Sequence, residues 1–232
     1  MSFSQNRGPL LGDMQTMERQ MPSKTEKLLS LLNGQPVIPV LKIADVTDAV
    51  PLARALARGG LPAIEITLRT ADALEAIRRV AGEVEEAIVG AGTILDADQF
   101  EEAASAGSRF IVSPGITREL LAAAADSDVP LLPGAITPGE IMAAREAGLR
   151  FLKFFPAEQS GGIASLKAFA SPLADVKFCP TGGITGKNAA DYLSLPNVVC
   201  VGGSWVAPDD LVKAGKWDEI EALARAASKL AK

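Results

Sequence analysis

A chain of 232 residues, 48% hydrophobic and 22% charged, can bury one large core and suits a single α/β domain. Its net charge of -5, with no long basic run, argues against a nucleic-acid surface, and no apolar stretch is long enough to span a membrane. Histidine is absent, which removes Ser-His-Asp and Cys-His machinery and leaves acid–base work to Glu, Asp, Lys, Tyr or water.

Met1 to Pro22 mixes Gln, Asn, Gly and Met without a period or an apolar signal-peptide core, and reads as a loose leader or an expression remnant. From residue 23 onward β-type runs alternate with helical stretches. A lead-in helix, Ser23 to Leu32, opens on a capping box of Ser23 with Glu26, and Gly34 ends it. Strand one is Pro36 to Leu41; a helix from Asp45 to Arg58 closes on Gly59-Gly60. Strand two is Ala63 to Leu68, with a helix from Thr70 or Ala71 to Ala81. Strand three, Ala87 to Ala91, precedes a helix from Asp96 to Ala106, and strand four, Arg109 to Val112, one from Thr117 to Ala125. Strand five, Pro130 to Leu132, leads to a helix from Thr137 to Ala147, and strand six, Arg150 to Phe155, to one over Ile163 to Ala170. Strand seven is Val176 to Pro180, with a helix over Gly186 to Leu193, and strand eight is Val198 to Gly202. The tail, Pro208 to Lys232, is helical with a break near Gly215.

Eight βα units with short links at this length predict a single-domain (β/α)8 TIM barrel over residues 23–232, with an open doubly wound sheet as the alternative. The only cysteines, Cys179 and Cys200, match no zinc spacing and read as buried hydrophobes in a cytoplasmic protein.

A lysine interrupts the apolar strand Phe151-Leu152-Lys153-Phe154-Phe155-Pro156. Taking an unpaired ammonium out of water costs several kcal/mol, so a buried lysine tends to shed its proton and becomes a nucleophile toward carbonyl carbon. The plainer reading is a lysine that snorkels to the strand end or pairs with an acid. Strand alternation puts Ala63, Glu65, Thr67 and Arg69 on one face and Ile64, Ile66 and Leu68 on the other. The aliphatic face suits the helices, so Glu65 is expected inside with Lys153, either as catalytic partners or as a structural ion pair.

In such barrels the active site lies at the C-terminal strand ends. There Arg69 can hold a carboxylate with its planar fork, or pair with a surface acid, and Thr93 can add a hydroxyl. Gly182-Gly183 and Gly202-Gly203-Ser204 fall in the loops after strands seven and eight, where backbone N–H groups commonly take a phosphate.

These stretches together resemble the 2-keto-3-deoxy-6-phosphogluconate (KDPG) aldolases. The matching motifs are Glu65-Ile-Thr-Leu-Arg-Thr70, Gly90-Ala-Gly-Thr93, Ser113-Pro-Gly115, Lys153-Phe-Phe-Pro-Ala-Glu158, Pro180-Thr-Gly-Gly-Ile184 and Gly202-Gly-Ser-Trp205, in order from about residue 25 to the C-terminus. The resemblance implies a class I aldolase of the Entner–Doudoroff pathway, usually a homotrimer and needing no metal or cofactor. Such enzymes cleave KDPG to pyruvate and glyceraldehyde 3-phosphate, and many relatives cleave 4-hydroxy-2-oxoglutarate to pyruvate and glyoxylate. Carried over, Lys153 matches the Schiff-base lysine and Glu65 the proton-transferring carboxylate. Arg69 and Thr93 match the contacts to the pyruvate carboxylate, and Pro114 and Phe155 the pocket wall. Gly182, Gly183 and Ser204 match the phosphate end, and Thr181 and Gly203 are further expected substrate-binding residues. Alternatives are a galactonate-epimer aldolase, a phosphosugar isomerase or epimerase with Glu65 as base and Lys153 only electrostatic, a non-catalytic binding barrel, and a class II aldolase with a carboxylate-bound magnesium.

Overall fold

Side chains that take up otherwise free backbone N–H groups set four of the helix starts. Glu26 accepts from Ser23 N (2.7 Å) and Ser23 Oγ from Glu26 N (3.2 Å), the reciprocal pair expected from the sequence. Asp96 accepts from Gln99 N (2.8 Å) and Thr117 from Leu120 N (3.1 Å), while Thr137 and Glu140 form a second capping box. The computed structural model describes residues 23–32 and 34–230; the leader, Met1 to Pro22, lies outside them.

The order is α1 (Lys24–Leu32), β1 (Val37–Leu41), α2 (Ala49–Arg58), β2 (Ala63–Thr67), α3 (Ala73–Glu83), β3 (Ile88–Gly92), α4 (Ala97–Ser105) and β4 (Ile111–Val112). It continues α5 (Arg118–Asp126), β5 (Leu131–Leu132), α6 (Pro138–Glu146), β6 (Phe151–Phe154), α7 (Gly162–Phe169), β7 (Lys177–Pro180), α8 (Ala189–Leu193), β8 (Val201–Gly203), α9 (Asp209–Lys213) and α10 (Trp217–Ala227). Asp45 caps a short 3-10 turn, Val46–Asp48, ahead of α2.

Every named strand pair is parallel, and six strands form one ladder in the order β5-β4-β3-β2-β1-β8. The result is an α/β fold with a parallel sheet curled into a half-barrel, short of the closed (β/α)8 TIM barrel expected from the sequence. β6 and β7 pair separately, and isolated bridges at Gly134–Lys153, Phe178–Val198 and Thr181–Gly202 connect that pair to the segments of β5 and β8. Proline explains both seams. Pro133 accepts from Lys153 N (2.8 Å) but has no N–H to return, and Pro180 likewise offers no donor toward β8.

The expected side-chain alternation sorts the core into two layers. Ile64, Ile66, Leu152 and Phe154 join Leu52, Leu56, Ile77 and Val80 of the helices in the larger apolar cluster. Ile38, Ala63, Phe110, Phe151, Cys179 and Cys200 form a second cluster on the concave side, together with Leu28 and Leu32 of α1. Because Ile38, Ala63 and Phe151 stand at or near the starts of their strands, α1 seals the end of the sheet opposite the strand C-termini. Burying Leu28 and Leu32 contributes about 1.5–3 kcal/mol each. Lys24 Nζ and Lys27 Nζ tie the same helix to the carbonyls of Ala124, Ala125 (2.6 Å) and Asp128 (2.7 Å).

Candidate active site

Lys153 is held by its backbone on both sides. Its N–H donates to Pro133 and its carbonyl accepts from Ala135 N (2.9 Å), while across β6–β7 it stands opposite Cys179. Glu65 lies in the middle of the six-strand ladder, opposite Val40 on β1 and Gly90 on β3. From these two strands the side chains meet inside: Lys153 Nζ is 3.2 Å from Glu65 Oε1, and both are buried, at 6% and 3% exposure. The Phe155 ring lies over Lys153 Nζ, 5.2 Å from its centroid, and is itself 36% exposed at the rim.

Gly92 makes room for this pair. A Cβ there would overlap Glu65 Oε1 and crowd its carboxyl carbon, so β3 must pass the carboxylate with no side chain. Gly92→Ala is expected to push the carboxylate off Lys153 and lower kcat by about 100-fold, the scale of a 1 Å misplacement of a reacting group, measurable by steady-state assay of the purified variant.

A cavity of about 180 Å³ opens onto the pair, lined by Val40, Thr67, Arg69, Thr93, Pro114, Phe155 and Thr181 besides Glu65 and Lys153. Arg69 reaches it from just past β2 along a short relay: its Nε donates to Thr67 Oγ1 (3.0 Å), which donates to the Leu41 carbonyl (2.8 Å). Thr93 sits at φ +62, a conformation that costs a β-branched residue about 1–2 kcal/mol. Hydrogen bonds on either side impose it, from Leu68 N to the Gly92 carbonyl and from Ile94 N to the Val112 carbonyl (3.2 Å).

Of the other residues expected to bind substrate, Thr181 lines this cavity, while Ser204 lines an adjoining hollow of about 200 Å³ that shares Val40 and Arg69 with it. Gly182 and Gly183 form the turn after β7, and Gly203 is the last residue of β8, inside the strand instead of in the loop beyond it. Val40, Thr67 and Lys42, which also borders the hollow, were not singled out from the sequence. Thr67 alone carried a signal, since it shares the face of Glu65 at the strand end. Behind the β7 turn the buried Tyr192 donates to Glu158 Oε1; burial first, and then that bond, push its phenol well above the ordinary range, so it remains a donor.

Among the described residues no three His, Cys, Asp or Glu side chains gather as metal ligands, and no helix is long and apolar enough to cross a membrane.

Chemically, the site offers an amine beside a carboxylate at the buried end of a cavity whose lining adds a guanidinium and three threonine hydroxyls. Known proteins are similar to this chain over most of its length. A family model described as KDPG and KHG aldolase matches residues 28–223. A KHG/KDPG aldolase of Escherichia coli K12 is 49% identical over 203 residues, spanning 88% of this chain and 95% of that protein. A 2-dehydro-3-deoxy-phosphogluconate aldolase of Pseudomonas aeruginosa is 50% identical over 207 residues, 89% of this chain and 94% of its own. The crystal structure of a Legionella pneumophila KDPG aldolase, with pyruvate captured at low pH as a covalent carbinolamine intermediate, superposes with a TM-score of 0.84 at 45% identity, over 85% of this chain and 96% of that one.

Proposed function

The chain belongs to the KDPG and KHG aldolase family, and from that membership we propose that it is a class I aldolase that cleaves KDPG to pyruvate and glyceraldehyde 3-phosphate. The observation that carries this reading is the buried contact of Lys153 Nζ with Glu65 Oε1 inside a cavity whose mouth holds Arg69. The covalent pyruvate adduct of the Legionella relative supports the same chemistry.

In this mechanism Arg69 and Thr93 hold the C1 carboxylate, which sets the C2 ketone against Lys153. Lys153 first gives one proton to Glu65, and the freed amine adds to C2; an N–H proton passes to the C2 oxygen to form the carbinolamine. Glu65 then returns its proton to the C2 hydroxyl, which leaves as water, and a protonated imine remains beside a carboxylate. The imine then draws the C3–C4 bonding electrons as Glu65, directly or through a water, removes the C4 hydroxyl proton, freeing glyceraldehyde 3-phosphate. The same carboxyl protonates C3 of the enamine, and hydrolysis of the imine returns Lys153 and pyruvate. Pro114, Phe155 and Thr181 wall the reacting carbons, and Gly182, Gly183, Gly203 and Ser204 receive the phosphate. Cleavage of 4-hydroxy-2-oxoglutarate would use the same pyruvate end without the phosphate contacts.

Several further readings accompany this one. Residues 23–232 make one domain whose strands close into an eight-stranded barrel, supported by the three isolated bridges at the β6–β7 pair and by one concave apolar cluster drawn from strands all round. The assembly is a homotrimer in the cytoplasm, to which Leu95 and Met142, 55% and 52% exposed in the single chain, offer apolar surface; sedimentation should give three times the 24.1 kDa chain mass.

The deciding experiment is borohydride reduction in the presence of pyruvate, followed by peptide mass spectrometry. A reduced pyruvyl adduct on Lys153 is expected; intact, folded protein without one would return Lys153 to an ion pair and favour isomerase chemistry.

A further inference from the structure

Glu158 closes one of the sequence motifs, yet the chemistry above leaves it without a part. Its surroundings tie the loop after β6 to the loop after β7. Ala157 N donates to the Thr181 carbonyl (2.8 Å) and Glu158 N to the Gly182 carbonyl (3.2 Å). Gly182 and Gly183 follow with φ of +98 and +78, backbone conformations that glycine adopts without strain, so the turn depends on glycine at both places. The space a Gly183 side chain would need is filled by the Cβ and Cγ of Glu158. On the opposite side Asn188 Nδ2 donates to the Gly183 carbonyl (3.1 Å).

Glu158 is in turn held by Tyr192 of α8, whose hydroxyl donates to Oε1. Tyr192 is wholly buried, and its hydroxyl fits because Gly162 has no Cβ, which would lie 2.8 Å from that oxygen. The Gly183 peptide is thus clamped between Glu158 and Asn188, with the Tyr192 phenol fixing the first of them.

We propose that Glu158, held by Tyr192, is a positioning residue for the phosphate end of the substrate: it props the Gly182–Gly183 turn so that its backbone N–H groups stay aimed, and so sets affinity for phosphorylated substrates without touching the pyruvate end. The proposal rests on the aldolase reading for its substrate. Its test therefore includes a measurement free of turnover.

For Tyr192→Phe, Glu158→Ala and Glu158→Gln, the KM for KDPG is compared with the pyruvate concentration that gives half-maximal borohydride trapping on Lys153. Loss of the hydroxyl in Tyr192→Phe, or of the supporting side chain in Glu158→Ala, is expected to raise KM roughly three- to tenfold, the scale of one charge-assisted hydrogen bond partly transmitted. The pyruvate half-point stays put. Glu158→Gln keeps the acceptor and the volume and removes a charge that repels phosphate, so its KM is expected at or below the wild-type value. Inorganic phosphate titrated calorimetrically should lose affinity by the same factor in the first two variants. An unchanged KM and phosphate affinity in both overturns the proposal, and so does a pyruvate half-point that moves with KM, which would mark a merely structural role. Wild-type protein that traps no pyruvate counts against the aldolase reading, while the phosphate titration still decides the role of Glu158.

Discussion

Lys153→Ala is expected to abolish cleavage, with kcat falling by on the order of 10⁴-fold or more, and to form no pyruvate adduct under borohydride, because no other amine takes its place beside Glu65. Stability moves as well. Removing one partner of a buried ion pair costs about 3–5 kcal/mol, since the remaining charge keeps its burial and loses its counter-ion. Replacing both partners by apolar residues of similar volume is often neutral or stabilising. The double variant Lys153→Met with Glu65→Leu is therefore expected to melt no lower than wild type while remaining inert, as scanning calorimetry and the cleavage assay would record. A pair kept for stability predicts a lower melting temperature for the double variant. Normal cleavage by Lys153→Ala would sink the mechanism outright.

Glu65→Gln should separate binding from proton transfer. The amide keeps the shape that fits against Gly92 and leaves the guanidinium of Arg69 and its Thr67 support in place. Substrate binding is expected to persist, whereas kcat drops by about 10²–10⁴-fold, the usual share of a general acid–base group. Exchange of the pyruvate methyl protons with deuterated solvent, followed by NMR, isolates the enamine step and should slow by a similar factor. Wild-type exchange in this variant would move the role of base to another group.

What could be read in the chain without its fold was local chemistry and periodicity. Ser23 with Glu26, Asp96, Thr117 and Thr137 announce helix starts because the bonds they make span three residues. Period-two alternation placed Glu65 and Lys153 on the inner face, since strand geometry alone decides it. Strand ends were less legible because distant partners set them. β3 runs through Gly92, and β8 starts at Val201 and ends at Gly203, although glycines read as loop. Those glycines serve neighbours far away in sequence: a Cβ on Gly92 would meet Glu65, and one on Gly202 would meet the Thr181 hydroxyl. The helix expected from Gly186 begins instead at Ala189, because Asn188 Oδ1 captures the Thr185 N–H (2.8 Å) and Thr185 Oγ1 the Lys187 N–H (3.3 Å) in a side-chain turn. The two prolines that interrupt the ladder were visible, but which neighbouring strand would lack a donor was not.

The pairing of β8 with β1 also has a consequence for biosynthesis. Val37 lies against Val201 and Pro39 against Gly203, so the first strand to leave the ribosome must wait for the last before one of its edges is covered. Until then the nascent chain carries an open, apolar strand edge. Interrupted synthesis at any codon before β8 therefore leaves a template for pairing with other chains, and truncated products of this gene are expected to aggregate where the finished chain does not.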